Sequence, residues 1–127
     1  MSAKMHYASE FSRGTEETGQ SSPVTMLAVG EPDEWQQQGK HLPRGAIAFV
    51  AFRDITAELL DHLVPTVIVS PVLAPSFDCI ELATLLHHLD YPGSYRAVSN
   101  SLPKPELIER EVRQVCDRLD FRIVKSN

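Results

Sequence analysis

One stretch of this sequence has the pattern that carries the chemistry in many α/β proteins. PTVIVSPVLAPSFDCIELATLLHHL, residues 65–89, predicts a buried strand, a proline-rich turn and an amphipathic helix. In open α/β sheets, ligands and reacting groups collect where such strands end. Here that position holds Ser70 and Pro71, and a proline side chain can be neither a nucleophile nor a metal ligand. The serines lack the G-x-S-x-G elbow of hydrolases, and no glycine-rich phosphate loop follows the first strand.

One cysteine and two histidines are the other chemical candidates in this stretch. Cys79 falls in the first turn of the predicted helix, where the macrodipole favours a thiolate. No histidine stands near it in the sequence to act as a base, so we expect a packed, unreactive thiol. His87 and His88 point about 100° apart on a helix and cannot easily hold one ion. We therefore predict no catalytic residue, no metal site and no cofactor.

Composition and charge limit the class of protein. Apolar residues make up 43% of the 127 residues and charged residues 23%, which is ordinary for a soluble globular protein. The net charge of -5 argues against non-specific binding to nucleic acid or anionic lipid. No apolar run approaches the roughly 20 residues of a membrane span, and no apolar signal-peptide core begins the chain. We predict a soluble, bacterial-type cytoplasmic protein that contacts neither membrane nor nucleic acid directly.

The alternation of apolar and polar segments predicts the elements that position these residues. Residues 1–23 are polar and aperiodic, which predicts a flexible N-terminal tail, and residues 24–127 are expected to form one α/β domain. The predicted strands are VTMLAVG, GAIAFVAF, PTVIVSPV, SYRAVS and DFRIV. The predicted helices are a turn or two around Pro32–Gln38, DITAELLDHL with Asp54 as N-cap, a helix with Ser76 as N-cap, and LPKPELIEREVRQVCDRL.

Strands that alternate with helices predict βαβ units and hence a mostly parallel sheet. The strands are apolar at nearly every position, which is typical of strands buried on both faces. The predicted fold is a three-layer α/β sandwich of about five strands, like that of flavodoxin. In the last helix, the expected sheet-facing residues are Leu107, Ile108, Val112, Val115, Cys116 and Leu119, and the expected surface ion pairs are Glu106–Arg110 and Glu109–Arg113.

The stretch PTVIVSPVLAPSFDCIEL resembles the middle of a response-regulator receiver domain. In that family a buried strand ends in the phosphoacceptor aspartate, and a Pro-x-Met-Asp-Gly-x-Glu-Leu loop leads into the next helix. The loop PSFDCIEL has Pro75, Asp78, Glu81 and Leu82 in matching places. The position of the aspartate is taken by Pro71.

The rest of the family's site is similar only in part. Gly30–Glu31 stands where the family has the acidic pair that holds Mg²⁺, while Ser99 resembles the switch Ser/Thr and Lys125 the phosphate-contacting lysine. A rival alignment would make SNSLPKPELIEREV the family's terminal Lys-Pro loop and last helix. Phosphoryl transfer needs a carboxylate nucleophile and a divalent cation, so the resemblance implies a degenerate receiver. Its degenerate site would comprise Gly30, Glu31, Ser70, Pro71, Ser99 and Lys125.

The function that this resemblance implies is a non-catalytic protein–protein interaction module. It would be a phosphorylation-independent regulator or adaptor in bacterial signalling or transcription control. The alternative is a small α/β enzyme or ligand-binding domain with its site at the carboxyl ends of the strands, near Gly30, Ser70 and Ser99. Trp35 and Tyr95 are predicted interaction residues, although single aromatic residues also serve to anchor loops to a core.

A homodimer is predicted from the helices that the pattern lacks. In a receiver-like fold the first and last helices cover one face of the sheet. Here the first helix is shortened and the last is missing after DFRIV, so one apolar sheet face is expected to be uncovered. A second copy, or a partner that supplies the missing helices, is expected to cover this face, with Trp35 near the rim of the dimer.

Overall fold

Five apolar segments of the chain form one parallel sheet in the computed structural model, which describes residues 25–37, 45–99 and 101–125. The strands are β1 Met26–Val29, β2 Ala46–Val50, β3 Val67–Pro71, β4 Leu73–Ala74, β5 Phe77–Asp78, β6 Ser94–Ser99 and β7 Asp120–Lys125. The sheet has the order β2-β1-β3-β6-β7, and every neighbouring pair is parallel. The predicted flavodoxin-like α/β fold is therefore confirmed. The predicted tail, residues 1–23, lies outside the described residues.

Helices lie on both faces of this sheet, which gives three layers. They are α1 Pro32–Gln37, α2 Ala57–Leu63, α3 Cys79–His88 and α4 Pro105–Val115. Side chains of α2, α3 and α4 pack with one set of strand residues, and Trp35 of α1 packs with the other set. We call the two sides the three-helix face and the α1 face. Within the described ranges, no helix combines the length and the apolar composition that crossing a membrane requires.

The two faces follow from the alternation of side chains along each strand. Leu27 and Ile68 are buried on the three-helix face, in the main core of the protein. Their neighbours Ala28 and Val69 are buried on the α1 face beneath Trp35. The central strands are thus apolar on both sides because both sides are covered there.

Helix α2 begins later than the sequence predicts. Residues Phe52–Asp54 form a single 3₁₀ turn, so Asp54 does not cap the helix. The cap is Thr56, whose hydroxyl accepts a hydrogen bond from the backbone N–H of Leu59 at 3.1 Å. Both are good capping residues, and the intervening 3₁₀ turn decides between them.

Helix α3 also begins later, because a short hairpin of β4 and β5 precedes it. The predicted cap, Ser76, lies in the turn of this hairpin instead. Asp78 caps the helix by accepting from the N–H of Glu81, and the Glu81 carboxylate accepts from the N–H of Asp78. These reciprocal bonds form a capping box.

Helix α4 buries a narrower stripe than the sequence predicts. Val112 and Cys116 are buried and Ile108 is half-buried, as expected. Leu107 and Val115, however, are 49% and 56% exposed. Each lies off the buried face of the helix at about 100° per residue, so the prediction that they face the sheet is wrong.

Glu109 does not serve as the surface partner that the sequence predicts. Its carboxylate accepts a hydrogen bond from the backbone N–H of Ile123 at 2.8 Å. This N–H belongs to β7, an edge strand, so the bond satisfies a donor that the sheet leaves open. Neither Glu106–Arg110 nor Glu109–Arg113 is among the ion pairs found in the described parts of the chain.

Candidate functional site

The predicted site residues lie along the carboxyl edge of the sheet but fall into two groups. The first group is Gly30 and Glu31, which follow β1, and Ser70 and Pro71, which end β3. A Cβ added to Gly30 would lie 3.6 Å from Cδ of Pro71. The second group ends β6 and β7, where Ser99 and Lys125 are register partners. Their neighbouring environments differ, because the first group is mostly buried and the second lines an open cleft.

The end of β3, where the sequence places the degenerate acceptor position, is closed. Ser70 and Pro71 are fully buried. The Ser70 hydroxyl donates to the carbonyl of Pro71 at 2.8 Å and lies 2.6 Å from the hydroxyl of Tyr95. Burial raises the pKa of Tyr95, so this hydroxyl stays protonated. Both hydroxyls are therefore buried and hydrogen-bonded inside the core.

Glu34 was not predicted as a site residue, yet its carboxylate closes the space between β1 and β3. One oxygen, Oε1, accepts from the backbone N–H of Glu31 at 2.9 Å. The other, Oε2, accepts from the N–H of Ser76 at 3.0 Å and from its hydroxyl at 2.6 Å. We call this the Glu34–Ser76 bridge. It joins the start of α1 to the β4–β5 turn across the point where strand order reverses, the usual ligand crevice of such sheets.

The electrostatics of this bridge keep Glu34 ionised. Burial by itself would raise the pKa of Glu34, but the hydrogen bonds from Ser76 and Glu31 and the charge of Arg53 hold it below its ordinary value. Arg53 also lies 3.4 Å from the carboxylate of Glu31. An ionised carboxylate that already accepts three hydrogen bonds is a structural acceptor and not a free base.

Trp35 and Tyr95, the two predicted interaction residues, both lie inside the core. Trp35 is 1% exposed, and Tyr95 is fully buried and packs against Phe121. Gly30 has φ +120°, and a Cβ there would lie 3.2 Å from Nε1 of Trp35. That buried Nε1 has no hydrogen-bond partner among the described residues. The two side chains therefore anchor the fold, and a partner cannot reach them without rearrangement of the core.

The second group lines a cleft of about 440 Å³ on the three-helix face. Its walls are Ser99, Ser101, Leu102, Pro103, Pro105, Ile123 and Lys125. The Ser99 hydroxyl accepts a hydrogen bond from the backbone N–H of Ser101 at 3.3 Å. Lys125 is exposed and carries the positive charge of the cleft. One cation and two hydroxyls beside an apolar wall could hold a small anion with an apolar body.

We compared the chain with known protein families, with curated proteins and with solved structures, and none of the three comparisons finds a match. The resemblance to receiver domains therefore stays a prediction from the motif.

The remaining chemical candidates are not arranged for catalysis. Burial, with a smaller effect from the nearby Asp78, raises the pKa of the Cys79 thiol to about 12. The thiol is thus protonated at neutral pH and is a poor nucleophile. His87 lies 3.4 Å from Asp117, and His88 is exposed. Among the described residues, no three His, Cys, Asp or Glu side chains are grouped so that they could hold a metal ion.

Proposed function

We propose that this chain is a non-catalytic, receiver-like module that works through protein–protein contact. Its role would be that of a phosphorylation-independent regulator or adaptor in bacterial signalling or transcription control, in the cytoplasm. The observation that carries this proposal is the closed end of β3, where Pro71 is buried and the Ser70 hydroxyl is already bonded. With this position occupied, contact through the protein surface is the function that we propose, and the step from fold to function rests on analogy with the receiver family.

The acidic residues near this point support the same proposal. Glu31 is the only member of the family's acidic pair that the sequence retains, and it is paired with Arg53. The carboxylate of Glu34 is occupied by the bridge to Ser76. Mg²⁺ needs oxygen ligands in near-octahedral geometry, and one arginine-paired carboxylate supplies too few.

The proposal is tested with a small-molecule phosphodonor. The chain is incubated with acetyl phosphate and Mg²⁺ beside an intact receiver domain as positive control, and intact mass is measured. We expect no phosphoryl adduct on the wild-type chain. We also expect little on Pro71→Asp, because the metal-binding acids would still be incomplete. A stoichiometric, hydroxylamine-labile adduct on the wild-type chain would refute the degenerate-receiver proposal.

The interaction role has its own test. The full chain is immobilised and used to retrieve proteins from its own cells. It should retain a partner in stoichiometric amount, and an excess of free chain should compete for that partner and release it. Retention of no partner in several growth conditions would count against an adaptor.

A second candidate function is the binding of a small ligand, and the cleft at Ser99 and Lys125 favours it. The test is thermal unfolding in the presence of a panel of small carboxylates and phosphates. A compound that raises Tm for the wild-type chain but not for Lys125→Ala would support this candidate. Equal shifts in both proteins would place the compound elsewhere.

A further inference from the structure

The α1 face is covered unevenly. Trp35 of α1 packs on Ala28 and Val69, which belong to β1 and β3. Val98 of β6 packs against the edge of this cluster, whereas no described residue of β7 belongs to it. The register places Arg96 beside Arg122 and Val98 beside Val124. We call these four residues the β6–β7 strip.

The β6–β7 strip is accessible and has the width of one helix. Val124 is 38% exposed, Val98 is half-buried, and Arg122 is exposed. Neighbouring strands lie about 5 Å apart, and a helix with its side chains is about 10 Å wide. Helices are the elements that cover faces of parallel sheets. The strip of two strands is therefore about as wide as one helix.

The charge of the strip identifies the kind of helix. Arg96 is partly neutralised by Asp120, whose Oδ2 lies 3.3 Å from its guanidinium group. Arg122 makes no ion pair within 4 Å of any described residue. Asp120 lies on the same face of β7 and also interacts electrostatically with Arg122. Two arginines against this one aspartate leave a net charge of +1 (2 − 1) on this surface, in a chain whose net charge is -5. An acidic segment is attracted to this surface and repelled by most of the rest.

We propose that the β6–β7 strip is the docking surface for an amphipathic helix of a partner protein, with an apolar stripe flanked by Asp or Glu. This rests on the proposed interaction function and names the partner class. The apolar stripe would pack on Val98 and Val124, and the carboxylates would pair with Arg122 and Arg96. A second copy packed sheet to sheet fits less well, because it would bring two arginine-bearing strips together.

The test selects peptides against the full chain. The probe is a displayed library of helical peptides with leucine at positions i, i+3, i+4 and i+7 and random residues at the flanking positions. We expect enrichment of Asp and Glu, and binding of the winning peptide that weakens with salt. Arg122→Glu and Val124→Asp should each weaken binding about tenfold or more. The matched control, Arg113→Glu on the exposed side of α4, should leave binding unchanged.

Four results would overturn the proposal. Enrichment of basic peptides, or no charge preference, would remove the basis for an acidic partner. If acidic peptides bind the Arg122→Glu variant with the same affinity as the wild-type chain, the interaction function would stand but its surface would lie elsewhere. Light scattering that shows twice the chain mass, reduced to one chain by Val124→Asp, would assign the strip to a second copy. A synthetic peptide of residues 1–24 that outcompetes the winners at the strip would assign it to the chain's own N-terminal segment.

Discussion

Replacing Glu34 by glutamine tests whether the Glu34–Ser76 bridge stabilises the fold. A glutamine side chain has one accepting oxygen, and its amide nitrogen only donates. It therefore cannot accept from the N–H of Glu31 and from Ser76 at once, as the carboxylate does. A hydrogen bond to a charged group contributes about 1.5–3 kcal/mol, and one such bond is lost while the others become neutral. We expect Glu34→Gln to lower the free energy of unfolding by about 2–3 kcal/mol at neutral pH.

The pH dependence of this loss follows from the pKa of Glu34. Hydrogen bonds and the charge of Arg53 outweigh burial and hold this pKa below the ordinary value of 4.5. A lowered pKa in the folded state means that the stabilisation is fully present above the unfolded-state pKa. It is lost as pH falls through the folded-state pKa. The unfolding free energies of wild type and Glu34→Gln should therefore converge below pH 4.5.

Urea unfolding followed by tryptophan fluorescence measures both effects, because Trp35 is the only tryptophan of the chain. The matched control is Asp33→Asn, which removes an exposed carboxylate from the same helical turn. Its effect should stay within about 0.5 kcal/mol. If Glu34→Gln is no less stable than Asp33→Asn, or if its deficit persists unchanged in acid, the bridge does not stabilise the fold as reasoned here.

Two further predictions concern buried side chains. Val112→Asp would bury an unpaired charge and should lower the free energy of unfolding by about 3–5 kcal/mol. Val115→Asp, on the exposed side of the same helix, should lower it little. Equal urea midpoints for the two variants would contradict the packing of α4. A disulfide reagent at mildly alkaline pH should leave Cys79 unmodified in the folded chain, because burial raises its thiol pKa to about 12, and should modify it in denaturant. Rapid reaction of this thiol without denaturant, mapped by peptide mass, would show that the site opens in the folded state.

The sheet was predictable because each central strand is a continuous apolar run. A strand that is apolar on both sides is stable only between two layers of helices. Because the strands also alternate with helices along the chain, the pattern predicts a parallel sheet. Helix starts were less predictable. Asp54 and Thr56 are both good N-caps, as are Ser76 and Asp78, and the intervening 3₁₀ turn and hairpin decide which one is used. Local composition does not contain that information.

The candidate site was predictable only where it depends on neighbours in sequence. That Ser70 and Pro71 carry no carboxylate can be read directly from the residues. The role of Glu34 cannot be read from the sequence, because its hydrogen-bond partner Ser76 is 42 residues away along the chain. The sequence allows Trp35 to be either an interaction residue or an anchor of its loop, and it does not show where the side chain lies. Trp35 stands in a polar segment, yet the short helix α1 turns it onto the sheet, where it is 1% exposed.

The capping box changes what the PSFDCIEL motif can say about ancestry. Asp78 and Glu81 each bind the backbone of the other at the start of α3, so this spacing suits any helix that begins at Cys79. Helix capping alone therefore explains the presence of Asp78 and Glu81 in the motif. The strand order β2-β1-β3-β6-β7 is that of the flavodoxin-like fold in general, so it shows the fold and not a receiver-like origin. At the point between β1 and β3 where the strand order reverses, the usual ligand position of such sheets, Pro71 is buried and the Glu34 carboxylate is already bonded to Ser76. A ligand at that point would therefore have to displace the Glu34–Ser76 bridge.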